Sequence, residues 1–151
     1  MEACSSYFLP RLIGHSRAMH LTTTGSVYPA DHPLFGTLFS ETLPSPEATL
    51  ARALELADEV AKNTSAVSTK MMRDLMYRGP DSAEGAHLLD SRVIYGLFGS
   101  KDNLEGVKSF FEKRPPKFEG RVPQDAPAAY PWWQPVDTDA SSCDLFEYPT
   151  E

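Results

Sequence analysis

The chain has 151 residues and a mass of 16.7 kDa, enough for one domain with a real core and too short for two ordinary ones. It is 41% hydrophobic and 23% charged with a net charge of −7, a composition that excludes a membrane-embedded or globally disordered chain. The charge is uneven: residues 1–121 hold 15 acids against all 14 Lys and Arg, whereas residues 122–151 hold six acids and no cation. A nearly neutral body speaks against nucleic acid as a partner, because such binding relies on a positive footprint. Cys4 and Cys143 lie at opposite ends with no zinc-ligand spacing, so neither a disulfide framework nor a metal is expected. No run approaches 18 apolar residues, and Met1-Glu2-Ala3-Cys4-Ser5-Ser6 lacks a basic leader. Pro149-Thr150-Glu151 is not a peroxisomal address of the SKL type. A soluble, intracellular protein without membrane contact is expected.

In chain order, Ser16 can cap a short helix over Arg17–Thr23, closed by Gly25. Residues 26–44 contain Pro29, Pro33, Gly36 and Pro44 and read as loop, with one short extended run near Leu38-Phe39-Ser40. Ser45-Pro46-Glu47 opens a helix to about Lys62, with Leu50, Leu54, Ala57 and Ala61 on one face. After Asn63-Thr64-Ser65 a second stripe, Val67, Met71 and Leu75, ends at Arg78-Gly79-Pro80, where Gly79 suits a left-handed stop. Asp81-x-x-Glu84 opens a third helix that buries Ala86, Leu89, Val93 and Leu97, and Gly99 stops it. Asp102-x-x-Glu105 opens a fourth carrying Leu104, Val107 and Phe111, which Pro115-Pro116 ends. Residues 119–151, rich in Pro, Asp, Ser and Ala, read as an acidic tail, largely disordered, with Trp132-Trp133 as a possible staple to the body. The class is mainly α.

Three stretches carry a resemblance. They are Glu2-Ala3-Cys4-Ser5-Ser6 through Leu9-Pro10-Arg11-Leu12-Ile13-Gly14, then Thr24-Gly25-Ser26-Val27 with Gly36-Thr37-Leu38-Phe39-Ser40-Glu41, and finally Leu104-Glu105-Gly106-Val107 through Glu112-Lys113-Arg114-Pro115-Pro116-Lys117-Phe118. Together they resemble the C-terminal half of the enoyl-CoA hydratase/isomerase (crotonase) superfamily, closest to the peroxisomal-type Δ3,Δ2-enoyl-CoA isomerases. The resemblance implies that residues 1–118 are the C-terminal helical part of a crotonase-like ββα-spiral fold. Asp31-His32-Pro33-Leu34 departs from it, since Pro33 stands where the family has a helix.

The resemblance also implies a chemistry: an acyl-CoA substrate, no cofactor beyond the coenzyme A of that substrate, a homo-oligomer (the family trimer), and a peroxisomal or cytoplasmic place. It assigns Glu2 as the base that shuttles a proton between C2 and C4. It sets Lys113, Arg114 and Lys117 where the family's C-terminal helix approaches the CoA phosphates. The family's Gly-rich oxyanion segment and most CoA contacts belong to its first half, and no Gly-rich run occurs in this chain. A chain truncated in this way is expected to be inactive alone; the alternative is a non-catalytic helical oligomerisation module. Without the resemblance, Glu2 is a solvated terminal acid, and Lys113, Arg114 and Lys117 complement a helix dipole. Cys4 reads as a small buried residue at a helix start, Ser5 and Ser6 as caps, and Phe110 with Phe111 as core or interface. His15, His20, His32 and His87 have no mutual ligand spacing.

Overall fold

A computed structural model describes residues 4–137, and among these there is no β-strand. The chain divides into two compact units, Met1–Ala57 and Asp58–Glu151. The helix Pro46–Asn63 runs through the boundary.

In the first unit, α1 (Ser5–Ile13) and α2 (His15–Thr24) meet at Gly14 and bury Ile13 and Ala18. The sequence gives no periodic signal for α1, and Pro10 lies inside it. Its start is capped by backbone alone: Cys4, at φ 65°, accepts from the amides of Tyr7 and Phe8 through its carbonyl. Cys4 is exposed, not buried as its residue type suggests, because it precedes the first turn of α1. Ser5 and Ser6 are the first helical residues and not caps. α2 closes as expected on Gly25 at φ 61°. Pro33–Phe35 form a single 3-10 turn, with His32 as its cap. α3 (Pro46–Asn63) starts at Ser45, whose hydroxyl accepts from the Ala48 amide. The expected stripe lies on one side of α3, yet no residue of this helix is buried.

The second unit is built on α4 (Ala66–Arg78), α5 (Ala83–Leu97) and α6 (Lys101–Glu112). The stripes of α4 and α5 meet as read: Val67, Met71 and Val93 form the buried centre, with Leu75, Leu89 and Leu97 against it. The caps are serines in each case. Ser65, Ser82 and Ser100 accept from the amides of Ser68, Gly85 and Asn103. Asp81 and Asp102, the caps suggested by spacing, are therefore displaced by serines one and two residues away. Gly79 is extended at φ −76°, so Pro80 rather than a left-handed turn ends α4.

Asp102 has another task. It is only 7% exposed, and its carboxylate accepts from the Ser65 hydroxyl at the start of α4. It also accepts from the backbone amides of Glu119 at 3.0 Å and Gly120 at 2.9 Å. One buried carboxylate thus joins α4, α6 and the chain that follows α6. A Cβ on Gly120 would stand 2.5 Å from an Asp102 oxygen and 3.0 Å from Val67, so glycine is required for that approach.

From this clasp, residues 119–137 run without regular structure as a strap over α4 and α5. Composition alone pointed to a disordered tail from 119. In the described part, Val122, Ala126, Ala129, Tyr130 and Trp132 pack on the Val67–Met71–Val93 centre and supply the burial that holds it. Trp132 donates its indole N–H to the Arg78 carbonyl at 3.0 Å, satisfying one of the otherwise unpaired carbonyls at the end of α4. The Arg78 guanidinium lies 4.5 Å from the Trp133 ring centre. Pro127 fits against Gly96, where a Cβ would come within 2.6 Å of its ring. Residues 138–151, with Cys143, lie outside the described residues.

Asp102→Asn keeps one oxygen for the two backbone amides and is expected to fold with a small loss of stability. Asp102→Ala leaves those amides and the Ser65 hydroxyl without their acceptor, at about 1–3 kcal/mol for each group left buried and unpaired. Chemical denaturation of both variants checks the contrast; equal losses would mean that the carboxylate oxygens do not hold the strap. Trp132→Ala should cost less than the roughly 3–5 kcal/mol of a fully buried tryptophan, because the residue keeps part of its surface in solvent.

Candidate functional site

Glu2 lies outside the described residues, which begin two residues later at the turn that starts α1. The three basic residues fall together beyond α6 and differ in what they do. Lys113 takes the left-handed conformation at φ 52° and ends the helix, its amide donating to the Phe110 carbonyl. Arg114 grips Glu105 with two parallel hydrogen bonds, Nη1 to Oε1 at 2.6 Å and Nη2 to Oε2 at 2.9 Å. Its Nε donates to Glu112 at 2.6 Å and its Nη1 also to the Pro115 carbonyl at 3.1 Å. Lys117 meets the same carboxylate through its backbone, its amide donating to Glu105 Oε1 at 2.7 Å.

Glu105 is therefore a second carboxylate that folds the chain back after α6, next to the Asp102 clasp. The Arg114 hydrogen bonds, followed by the Lys117 amide, hold its pKa down at about 2. Arg114 is shifted upward by Glu105 and Glu112, so it stays charged. A recess of about 480 Å³ is lined by Lys101, Arg114 and Lys117 together with Asp102, Glu105 and Glu119. Lys101 reaches Asp125 at 3.3 Å, and the Asp125 carboxyl is lowered first by the Arg121 amide and then by Lys101. Three cations and three carboxylates line the recess, so it is charge-balanced. Spacing did not show Glu105 and Arg114 as partners, because they are nine residues apart and meet only after the chain reverses at Lys113.

The histidines behave as surface groups. His20 shares a 2.9 Å hydrogen bond with the Tyr28 hydroxyl, His32 accepts from the Leu34 amide, and His15 and His87 are exposed. Among the described residues, no three His, Cys, Asp or Glu side chains converge as a metal site. No described helix is long and apolar enough to cross a membrane.

With this geometry in hand, a family model described as enoyl-CoA hydratase/isomerase matches residues 1–121. The chain belongs to the enoyl-CoA hydratase/isomerase family. Similar members include two enoyl-CoA hydratases of Alternaria alternata, AFT3-1 and AKT3-2, 52% and 53% identical over 118 residues. Each alignment takes in 78% of this chain and 40% of the relative. The 2,3-dehydroadipyl-CoA hydratase of Escherichia coli is 30% identical over 114 residues, 75% of this chain and 44% of that protein. Among solved structures, a probable enoyl-CoA hydratase/isomerase from Mycobacterium abscessus superposes with a TM-score of 0.68 at 29% identity, covering 80% of this chain and 49% of that one. The chain thus spans less than half the length of the curated relatives it matches, in roughly their C-terminal half. The described region, mainly helical and without a strand, is the C-terminal helical part of a crotonase-like fold.

The Glu105 clamp carries a pH signature in this family member. A carboxylate whose folded pKa is depressed contributes stability that is present above its unfolded pKa and is lost as pH falls toward the folded one. For Glu105 that window runs from the ordinary 4.5 down to about 2. Arg114→Met should raise the Glu105 midpoint toward 4.5 in a carboxyl-resolved NMR titration and flatten this part of the acid-stability curve. An unchanged midpoint would mean that Arg114 does not hold the carboxylate.

Proposed function

We propose that this chain carries the C-terminal part of an enoyl-CoA site in which Glu2 moves the proton, and that these 151 residues do not turn over alone. The supporting observation is the family match over residues 1–121, with Glu2-Ala3-Cys4-Ser5-Ser6 at the segment to which the resemblance assigns the base. One carboxylate suffices for a 1,3-proton transfer: it takes a proton from C2 of a 3-enoyl thioester and returns it at C4, giving the conjugated 2-enoyl thioester. Such a base must reach its proton within hydrogen-bond distance and have a pKa tuned by burial. Its enolate needs preorganised donors at the thioester oxygen, which the resemblance places in the other half of the fold. Lys117 and Lys113, beyond the end of α6, are the cations we assign to the CoA phosphates; Arg114 holds the turn that presents them. A second reading, hydration, is favoured by the names of the Alternaria relatives and would require a second carboxylate to activate water.

Loss of a single oxyanion donor costs roughly 10²–10³ in rate, and absence of the whole hole with most CoA contacts compounds that deficit. The purified chain is expected to show no formation of conjugated enoyl-CoA from a 3-enoyl-CoA, and no hydration of a 2-enoyl-CoA, by ultraviolet absorbance. Joined to the N-terminal portion of an Alternaria relative it should gain turnover, which Glu2→Gln abolishes and Lys117→Ala weakens through KM. Turnover by the chain alone that vanishes in Glu2→Gln would contradict the incomplete-site reading. Turnover of the joined protein that survives Glu2→Gln would contradict the role of Glu2.

A further inference from the structure

The 3-10 turn Pro33–Phe35 in the first unit relies on a side chain for one of its amides. Pro33 has no N–H to satisfy. The Phe35 amide donates to the His32 carbonyl at 3.0 Å, and the Gly36 amide to the Pro33 carbonyl at 3.2 Å. The remaining one, the Leu34 amide, donates to Nδ1 of the His32 ring at 3.2 Å. Serine, threonine, asparagine and aspartate are the usual residues for this task. Histidine differs from all of them in that an ordinary imidazole changes charge between about pH 5 and about pH 8. The ring is held where it must act: its centre lies 4.5 Å from that of the Tyr28 ring, and the His32 amide donates to the Pro29 carbonyl at 3.0 Å. His32, Tyr28 and Leu34 are all partly buried.

We propose that His32 is a proton-operated catch on this turn: its neutral ring holds the Leu34 amide, and its protonated ring releases it. An imidazole nitrogen accepts only while it carries no proton, and in the imidazolium both ring nitrogens are donors. Protonation therefore sets one N–H against another and leaves the Leu34 amide to water. A bond made only by the deprotonated form stabilises the turn at higher pH and is lost as pH falls. The neighbouring histidine behaves differently. His20 of α2 meets the Tyr28 hydroxyl through Nε2 at 2.9 Å, and a hydroxyl can donate to a neutral ring or accept from a charged one. That tie survives protonation, so the α2 end of the His20–Tyr28–His32 chain stays fixed while the turn lets go. The other charged groups brought to this turn are Arg17 and Asp31. Arg17 comes from α2, and a Cβ on Gly36 would stand 2.7 Å from its Nη1; Asp31 precedes His32 in sequence. They bring one charge of each sign. His32 and Pro33 lie in the stretch where the chain departs from the family pattern, so the catch belongs to this chain rather than to the fold. It involves no thioester site and stands apart from the acyl-CoA reading.

An NMR titration of the full chain from about pH 8 to about pH 5.5 spans the range in which a histidine changes charge. The Leu34 amide should shift along the same curve as the His32 ring signals. Its protection from exchange, taken relative to unstructured peptide at each pH, should fall roughly 2–30-fold, the range for losing a helix cap. The Val93 amide in α5 should keep its protection throughout. His32→Asn keeps an acceptor that does not titrate, and should hold the Leu34 amide at both ends of the range. His32→Ala should hold it at neither, and His20→Gln should leave the Leu34 titration in place. The titration of the native chain is decisive whether or not the variants fold: a Leu34 amide that stays constant while the His32 ring titrates would overturn the catch. So would a Leu34 response that persists in His32→Asn, or one that disappears in His20→Gln, because either assigns the response to another group.

Discussion

Taking the Asp102 carboxylate out of water is costly, and the second unit is arranged so that its bonds are replaced. A buried carboxylate without partners is disfavoured by several kcal/mol. Here a serine hydroxyl and two successive backbone amides supply the bonds, each charge-assisted and stronger than a neutral one. Because the donors come from the start of α4 and from the chain beyond α6, these bonds fix the position of both relative to the start of α6. Trp132 then has a defined place at the end of α4, and Pro127 at Gly96. The strap thus begins at an electrostatic anchor and ends at an aromatic one.

Glu105 repeats the device one turn later on α6. Its partners, Arg114 and the Lys117 amide, belong to the reversal that follows the helix. Two acids spaced by three residues therefore hold successive pieces of the same returning chain. This arrangement suits a unit whose apolar centre is small: its buried hydrophobic residues among those described are Val67, Met71 and Val93. Large apolar side chains remain at the surface on α3, α5 and α6, as expected where the matched relatives are more than twice as long.

The helices of the second unit were legible because their stripes repeat every three to four residues and face one another. Val67, Met71, Leu75, Leu89, Val93 and Leu97 all lie where periodicity set them. The cap positions were less legible, since an acid and a serine one or two residues apart compete for the same amides. Asp102 fits a capping box by spacing, but its partners at 65, 119 and 120 are visible only in three dimensions. α1 left no periodic signal, being short and interrupted by Pro10. The stripe of α3 and the pair Phe110-Phe111 show the converse: periodicity identifies an apolar face but not what covers it. Composition marked residues 119–137 as irregular, and nothing in composition says that Val122, Tyr130 and Trp132 find a surface. The family was legible from three motifs, whereas the roles of Lys113, Arg114 and Lys117 divide only once Glu105 is seen.

The central physical claim is that a single buried carboxylate fastens the returning chain, and native-state hydrogen exchange tests it most directly. The Glu119 and Gly120 amides donate to Asp102 and sit in a segment with no helix or strand of its own. Loop amides with ordinary exposure exchange through small fluctuations, whereas amides tied to the core exchange only through larger opening. The account predicts that these two amides exchange on the timescale of the Val67–Met71 turn of α4 in the native chain. Exchange of both at the rate of unstructured peptide, with α4 still protected, would contradict it.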